Sequence, residues 1–444
     1  MSEPRSDRYQ TVLRPAPTAW LPLARSRTPS AEALEVRGAL GLPGTGLIIA
    51  SGHQAGIWHA GIAAKWMAVQ AAVERARRAG AEAHGAWFVV DQDVNQAGRL
   101  AYPAAGVPMS RAAWDFAAGA GRATGWIAPA PKPEFVVGRA PPALDSVRAG
   151  LERTAEALRR AAGEPSLAMQ TARAAAGLVP ASEVQLAIVP VSALARTPVM
   201  GRVIGTISRG RIEAYNRAVA EFPAAGLRPL AMRGEVFELP AWRVNAVGER
   251  RPAWSDDAGQ GELMPRALLL TLLLRSFACD LFVHGLGGEI YDPAMEAWVA
   301  PWGEAPALAP AVVASATALL PLETTGIPTP EEIARAAWLA HAARHHPAAV
   351  GGDERALDRL REEVQRAPRK SVVRRSAYQA LHAALEAFRA SHAGQITALE
   401  QRAAELRAAS GMAALVYDRT WPFSLHAPEA LQPLQREIRA AFAE

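Results

Sequence analysis

The chain has 444 residues, half of them hydrophobic and a fifth charged, a composition that suits a globular protein with one large core or two to three domains. Its net charge of +5 is small for this length and forms no dense basic stripe, which argues against nucleic acid as a main partner. Cys279 is the only cysteine, which excludes an intramolecular disulfide and fits a reducing, cytoplasmic location. No apolar run has the length of a bilayer span and the first ten residues carry no signal-type stretch, so we expect no membrane partner.

Residues 47–93 predict a β-α-β unit. Leu47–Ala50 is a short apolar run typical of a buried parallel strand, Ala60–Ala79 predicts a helix, and Ala86–Val90 predicts a second strand. Ligands of such units bind at the carboxyl ends of the strands, against the helix N-terminus. The polar side chains at these positions are therefore candidate site residues, namely His53, Gln54, His59, Asp91 and Asp93.

The alternation of strands and helices predicts the α/β class, with a Rossmann-like parallel sheet and helical insertions. We expect a poorly ordered arm at 1–30, a core at 31–328 with an irregular and helical insertion around 94–180, a helical segment at 329–412, and a tail at 413–444 that packs on the core. Further predicted elements are helices at Leu144–Gly163, Pro165–Gly177 and Pro265–Phe277 and strands at Gln185–Val189, Asp280–Val283, Ala311–Leu319 and Ala413–Asp418.

The segment Ser376–Ala409 predicts one long helix at the end of a helical, coiled-coil-like arm. Apolar residues recur there at spacings of three and four, which is the pattern of an a/d seam; they are Tyr378, Leu381, Leu385 and Phe388. Because an exposed apolar seam is usually buried against another surface, the arm makes a homodimer plausible.

The segment GIWHAGI, residues 56–62, contains the first part of the HIGH signature of class I aminoacyl-tRNA synthetases and related nucleotidylyl transferases. In that signature a glycine lets the nucleotide pack on the helix backbone and a histidine donates to its phosphates. His59 and Gly61 match, and Ile62 replaces the second histidine, so capping and packing by His59 is an equal alternative. Lys65, one of only three lysines, lies six residues on, away from the face of His59, but its long side chain could still reach the site.

Two further groups of residues complete the candidate site. Asp91 and Asp93 follow a predicted strand and could hold a magnesium ion, a ribose or an amine, although one aspartate alone would be explained as a turn-former. The segment HGLGGEIYD is a second glycine-rich strand end, whose backbone could approach an anion. It contributes the candidate binding residues His284, Gly285, Gly287, Gly288, Glu289, Tyr291 and Asp292.

Three blocks in this order resemble the bacillithiol-biosynthesis cysteine-adding enzymes. They are SGHQAGIWHAG with Lys65, WFVVDQD and DLFVHGLGGEIYD, and the helical C-terminal segment is similar too. The resemblance covers roughly 45–320 and implies a Rossmann-like ligase core and the addition of cysteine to a glucosaminyl-malate acceptor. The chain departs from the family where His53-Gln54 replaces two glutamines, in a first turn that is one residue longer, and where Asp91-Gln92-Asp93 replaces an Asp-His-Asp run.

Two functional hypotheses follow. In the first, the chain is a ligase or nucleotidyl-transfer enzyme in which His53, His59, Asp91 and Asp93 are catalytic, and Gln54, Gly56, Gly61 and Lys65 bind substrate or nucleotide together with the second glycine-rich turn. ATP with Mg²⁺ is the expected activating agent, although no KMSKS-type loop is visible and no protein metal ligands are assigned. In the second, the chain is catalytically degenerate and binds a small metabolite or self-associates.

Overall fold

The structure is a computed structural model, and it describes residues 9–93, 96–117, 128–138, 140–257 and 261–443. The described residues form two compact units. Unit 1 lies within Met1–Gly106, Arg111–Leu320 and Arg419–Glu444, and unit 2 lies within Val107–Ser110 and Pro321–Asp418. Unit 2 is thus inserted in the sequence of unit 1.

The helices and strands alternate along most of the chain. The strands are β1 (Tyr9–Arg14), β2 (Leu47–Gln54), β3 (Ala83–Val90), β4 (Arg99–Ala104), β5 (Ser110–Asp115), β6 (Leu186–Pro190), β7 (Met232–Arg233), β8 (Val236–Val244), β9 (Arg250–Trp254), β10 (Glu262–Pro265), β11 (Leu281–His284) and β12 (Ala311–Ala318). The helices are α1 (Trp20–Ala24), α2 (Ala31–Ala39), α3 (Ala60–Arg78), α4 (Asp145–Arg160), α5 (Leu167–Leu178), α6 (Pro198–Gly205), α7 (Arg209–Glu221), α8 (Ala267–Leu273), α9 (Leu286–Val299), α10 (Pro330–Ala342), α11 (Arg355–Arg366), α12 (Val372–Ser391), α13 (Ala393–Ala408), α14 (Ser410–Val416) and α15 (Pro428–Ala441). Within the described residues, no helix is both long enough and apolar enough to cross a membrane.

The main sheet of unit 1 has the strand order β1-β12-β11-β2-β3-β6, in which β1 is antiparallel and the other five strands are parallel. The chain lays down β2, β3 and β6 toward one edge and then β11 and β12 toward the other edge. The direction of winding therefore reverses between β2 and β11, and this is the topological switch point of an α/β sheet. The predicted α/β class with a Rossmann-like parallel sheet and helical insertions is confirmed.

The predicted β-α-β unit is confirmed as β2, α3 and β3. Helix α3 is buried on nearly all sides because its many alanines let it pack closely, and it contacts both the sheet and α15. Its N-terminus lies on an aromatic cluster in which the Trp58 and Trp87 rings are 4.5 Å apart and the Trp66 and Trp87 rings are 5.2 Å apart. The Phe423 N–H donates to the Trp58 carbonyl at 2.7 Å, and this hydrogen bond attaches the segment around Phe423 to the cluster.

Asp280 fastens β11 to β2 at the ends opposite the switch-point crevice. One carboxylate oxygen accepts the Ile48 N–H at 2.8 Å, and the other accepts from the Arg37 guanidinium at 2.7 Å. The Asp280 N–H in turn donates to the Ile48 carbonyl at 2.8 Å. Arg37 and Asp280 are both fully buried, so this ion pair is held in a medium where an unpaired charge is costly.

The amino-terminal residues differ from the predicted irregular arm. Residues from Tyr9 to Arg14 form β1, which extends the sheet by pairing with residues 313–318 of β12. The proline- and arginine-rich composition concealed a short edge strand, because proline follows the strand at Pro15 and does not interrupt it. The irregular stretch after Asp93 also contains the two-stranded sheet of β4 and β5, although parts of it lie outside the described residues.

One predicted helix start and one predicted strand were wrong. Pro265 does not begin a helix but ends β10, where it lies opposite Ala241, and the helix starts at Ala267 and continues into a π-helical turn at Leu274–Ala278. Proline at the end of a short outer strand costs no ladder hydrogen bond on its open side. The predicted strand Ala413–Asp418 is helical, as α14 (Ser410–Val416), because its alanines favour helix and no described strand pairs with it.

The described part of unit 2 is helical from α10 to α14. Helix α11 packs with the next helix, α12, as expected of a helical hairpin, and α10 packs with the more distant α13. The single long helix predicted over Ser376–Ala409 is instead two helices, α12 and α13, which meet at His392. His392 leaves the helical region with φ −115° and ψ 19°, next to Gly394, where the apolar seam weakens.

The buried pair of Arg37 and Asp280 gives a prediction about stability. Replacing Arg37 by methionine leaves the Asp280 carboxylate buried without its cation, and we expect a loss of roughly 3–5 kcal/mol in the free energy of unfolding by urea. The control is Arg202→Met, because Arg202 pairs with Glu32 and Glu35 at exposed positions. That variant should lose less than about 1 kcal/mol. Equal losses in the two variants would show that the buried pair has no special role.

Candidate functional site

A cavity of about 580 Å³ opens at the switch point of the main sheet. One wall is formed by the carboxyl ends of β2, β3 and β11 and by the first turn of α9, and the other by α7, β8 and the start of α8. The lining includes ten of the candidate residues or their neighbours, namely His53, Gln54, Lys65, Gln92, Asp93, His284, Gly285, Gly287, Gly288 and Tyr291. The structure therefore brings together the β2, β3 and β11 ends that the sequence marks as sites.

Lys65 reaches this cavity from the second turn of α3. Its ammonium donates to the Gly52 carbonyl at the end of β2 at 2.5 Å and lies 5.3 Å from the centre of the Trp87 ring. Among the described residues no carboxylate forms an ion pair with Lys65, and only 4% of the residue is exposed. Burial lowers the pKa of Lys65 to about 7, so the neutral amine is accessible at neutral pH.

His53 stands beside Lys65 at the end of β2. Its Nδ1 lies 3.3 Å from the Gln54 carbonyl. Burial, together with the positive charge of Lys65, lowers the pKa of His53 to about 3. The imidazole is therefore neutral at neutral pH, and it can donate one hydrogen bond and accept another.

The two aspartates after β3 point to different surroundings. Asp91 is buried and accepts from the Ser192 N–H at 2.9 Å and from the Ser192 hydroxyl at 2.5 Å, and it does not line the cavity. Burial outweighs these hydrogen bonds and raises the pKa of Asp91 to about 6. Asp93 does line the cavity, where it pairs with Arg250 and accepts from the Gln54 amide at 3.3 Å. The two carboxylates thus do not form the converging pair that a metal ion would need.

The opposite wall carries two arginines that share one buried glutamate. Arg228 binds Glu238 through both terminal nitrogens, at 2.9 and 2.5 Å, and Arg266 binds the same carboxylate at 2.5 Å. Burial by itself raises the pKa of Glu238, but hydrogen bonds from Arg228, the Ala231 N–H and Arg266 outweigh it and lower the pKa. Arg266 also stacks on Trp242 at 4.3 Å. Because two guanidinium groups share one carboxylate, this wall keeps a net positive charge.

His284 forms the boundary between the cavity and α9. Its Nε2 lies 2.8 Å from one Asp292 oxygen, and the same oxygen lies 3.1 Å from Arg275. The imidazole packs over Gly288 so closely that a Cβ on that glycine would lie 2.3 Å from the histidine Nδ1. Gly288 is therefore required by the packing of His284, whereas a Cβ on Gly287 would meet nothing within 4 Å.

The remaining residues of the second glycine-rich turn divide between two surfaces. Tyr291 lines the cavity beside Thr271, and burial raises the pKa of its hydroxyl well above the usual value, so the hydroxyl stays protonated. Glu289 and Asp292 do not line this cavity. Glu289 instead pairs with Arg14 of β1 at 3.1 Å.

The residues that match the HIGH signature lie outside the cavity. His59 is the N-cap of α3, and its Nδ1 accepts from the Gly61 N–H at 3.1 Å. A Cβ on Gly61 would lie 2.9 Å from the Ala316 carbonyl, so this glycine lets α3 pack on β12. The Gly56 N–H donates to the Thr171 hydroxyl at 3.1 Å. The geometry gives His59 the capping and packing role that was the alternative interpretation of this motif.

The start of α8 is strained where it meets the cavity. Ala267 has φ 48°, in the left-handed region that residues with a Cβ rarely adopt, and it follows directly after Arg266. The far end of the helix is π-helical, and Leu274 at the first π-helical position also lines the cavity. Local strain and π-helical turns both recur at binding sites, where they fix side chains in position.

The arginine-bearing wall could not be predicted from sequence motifs. Arg228, Trp242 and Arg266 are separated by more than ten residues each and come from a loop, a strand and a strand-to-helix junction. No motif unites them, and only the folded chain brings them together. The charged residue directly before an apolar helix, Arg266, was the one available signal.

Comparisons with known proteins do not assign the chain to a family. No protein-family model and no curated protein matches it. A solved structure from Campylobacter jejuni, provisionally named an arginyl-tRNA synthetase, aligns over 90% of this chain and 92% of its own, with 12% identity and a TM-score of 0.25. A likeness at this TM-score supports no argument about fold or activity.

The packing of His284 on Gly288 gives a matched pair of variants. In Gly288→Ala the new methyl group collides with the imidazole, and we expect a loss of about 1–3 kcal/mol in the free energy of unfolding. Gly287→Ala, one residue earlier in the same helical turn, should be neutral or gain up to about 1 kcal/mol from helix propensity. Urea unfolding of both proteins tests this. A destabilised Gly287→Ala with an unaffected Gly288→Ala would contradict the geometry.

The depressed pKa of Lys65 predicts how stability depends on pH. Between about pH 7 and 10.5 the unfolded chain holds a proton on this lysine that the folded chain does not, so the free energy of unfolding rises with pH. We expect Lys65→Met to remove up to about 1.4 kcal/mol per pH unit of this rise. Urea unfolding between pH 7 and 9.5 measures the difference in slope from the parent protein. Lys132→Met, at an exposed position, should keep the parent slope, and so would Lys65→Met if the ammonium were well solvated.

Proposed function

We propose that the cavity binds a small anionic metabolite and that the protein is a ligase-type enzyme, which joins an amino acid to a small acceptor. The observation that carries this proposal is the unbalanced positive charge at the switch point. The cavity lining and its ion-pair partners supply the basic side chains Lys65, Arg228, Arg250 and Arg266 against the carboxylates Asp93 and Glu238. A carboxylate or phosphate of the ligand would complete this balance.

The cavity offers the groups that amide formation needs. An incoming amine attacks an activated carboxyl only after losing a proton, and the neutral fraction of Lys65 can accept that proton at neutral pH. Arg228 and Arg266 can hold a carboxylate and stabilise the oxygen on which negative charge develops. Asp93, supported by Arg250 and Gln54, can hold an ammonium or hydroxyl group of the second substrate.

Nucleotide activation by ATP with Mg²⁺ is part of the proposal. Lys65, the arginine pair and the glycines at the N-terminus of α9 suit phosphate groups in charge and in backbone access. The lining does not suit a metal held by the protein. Among the described residues there is no group of three histidine, cysteine, aspartate or glutamate side chains placed for a metal, and Asp93 is the one carboxylate in the described lining. Magnesium would thus enter with the nucleotide, and we assign no step to it.

We propose the substrates first from the family resemblance and then from the positions at which the chain departs from that family. The resemblance to the bacillithiol-biosynthesis cysteine-adding enzymes suggests cysteine as the amino acid and a sugar-malate conjugate as the acceptor, whose carboxylates would suit the arginine wall. Of the two segments that depart from the family, His53, Gln54, Gln92 and Asp93 line the same cavity, and these changes favour a different acceptor. A homodimer through the helical segment remains a prediction.

A second candidate function is binding without catalysis. The observation that favours it is the position of His59 and Gly61, which cap and pack α3 outside the cavity and so leave the HIGH-like motif without a catalytic role. In this case the cavity would bind the same anionic class of ligand without turnover. Product formation, measured by mass spectrometry with ATP, an amino acid and an acceptor, separates the two functions.

Ligand binding tests the proposal directly. In a thermal-shift screen with amino acids, sugar-malate conjugates and ATP with and without Mg²⁺, a ligand at a hundredfold excess over its Kd should add about 2.7 kcal/mol of stability. Arg228→Gln should weaken that binding about 10- to 100-fold, because a charge-assisted hydrogen bond is lost. The control is Arg209→Gln, an exposed arginine that pairs with Glu213 and lies outside the lining. No shift with any anionic ligand, or equal effects of both variants, would refute the assignment of the cavity.

A further inference from the structure

Lys65 is placed in a way that an anion-binding role alone does not explain. The other basic groups at the cavity are each paired: Arg228 and Arg266 with Glu238, and Arg250 with Asp93. Lys65 has only the Gly52 carbonyl and the face of Trp87 as partners, and no carboxylate pairs with it among the residues that the structure describes. A lysine that only binds an anion works best when fully charged, and this burial opposes the charge.

The surroundings of Lys65 are those of an amine nucleophile. A lysine becomes nucleophilic when it is desolvated or lies near another positive group, because both conditions favour its neutral form. Here α3 buries the side-chain stem, whose Cδ lies 3.7 Å from the position of a Cβ on Gly285, while the residue as a whole lines the cavity. His53, which lines the same cavity, is neutral and so adds no competing positive charge to it.

From this placement we propose that Lys65 condenses with the carbonyl group of a small aldehyde or 2-oxo acid whose carboxylate or phosphate is held by Arg228 and Arg266. The class of compound follows from the two walls, since one offers an amine for a carbonyl carbon and the other offers guanidinium groups for an anion. The proposal uses the cavity of the proposed ligase but not its reaction, and it requires neither ATP nor an amide product.

The step is an imine condensation that balances without an oxidant or a reductant. The lone pair of the neutral amine attacks the carbonyl carbon, the carbonyl π electrons move to oxygen, and a proton passes from nitrogen to that oxygen. The carbon–oxygen bond then breaks, and the oxygen leaves as water with one further proton. The sum is amine, carbonyl and one proton giving a protonated imine and water. Solvent supplies that proton, and the Tyr291 hydroxyl in the same lining, which stays protonated, can donate a hydrogen bond to the departing oxygen.

Reductive trapping tests this inference on the unmodified protein. The probes are pyruvate and pyridoxal 5′-phosphate, each with sodium cyanoborohydride, which fixes an imine as a stable secondary amine. The chain has three lysines, Lys65, Lys132 and Lys370, so peptide mass spectrometry can read each of them separately. We expect Lys65 to be labelled at least about tenfold faster than the other two, which serve as internal controls. Equal labelling of all three, or labelling that spares Lys65, would overturn the inference.

A second experiment distinguishes a nucleophilic Lys65 from a lysine that only binds anions. Arg228→Gln should slow labelling of Lys65 by pyruvate about tenfold or more but leave labelling by the uncharged propionaldehyde unchanged, because only the first probe has a carboxylate to be held. The rate should rise with pH through about 7 and then level off. If pyruvate raises the melting temperature but leaves no adduct on Lys65, the residue binds anions only, and the condensation is refuted. That result would leave the ligase proposal standing, which depends on amino acid and ATP binding.

Discussion

The attachment of β11 to β2 by Asp280 is the constraint on which the rest of unit 1 depends. It sets two strands side by side that are separated by more than two hundred residues, and the reversal of winding between them creates the crevice of the cavity. The opposite ends of the same strands carry the Gly52–Gln54 and His284–Gly285 segments. A buried ion pair at one end of the sheet thus determines which polar groups meet at the other end.

The cavity combines two features that reduce stability. A lysine is buried without a carboxylate partner among the described residues, and an alanine adopts a left-handed conformation. Natural sequences depart from locally favourable choices mainly where a ligand or a reaction requires it. The close burial of the helix that carries Lys65 is related to this cost. Packing of the α3 alanines and of the tryptophan cluster offsets the cost of holding the amine away from water.

Local patterns predicted what depends on neighbours in the sequence. The unit β2-α3-β3 followed from apolar runs and a glycine stop, and the glycine-rich turn after β11 identified a true cavity wall. The HIGH-like match could not decide between two roles, because capping and close packing require the same histidine and glycine as nucleotide binding does. Asp91 and Asp93 could not be told apart, since the partner of the first, Ser192, lies a hundred residues away. The arginine wall was invisible for the same reason, because it exists only through long-range contacts.

The interrupted sequence of unit 1 has a consequence for synthesis on the ribosome. The aromatic cluster under α3 receives Phe423 from the last part of the chain, and β1 must wait for β12 before it can pair. The helices of unit 2 rely on contacts close together in sequence, so they can form while unit 1 still lacks its final segment. A nascent chain would therefore expose the tryptophan surface until residues after 419 emerge, and chaperone shielding is most valuable in that interval.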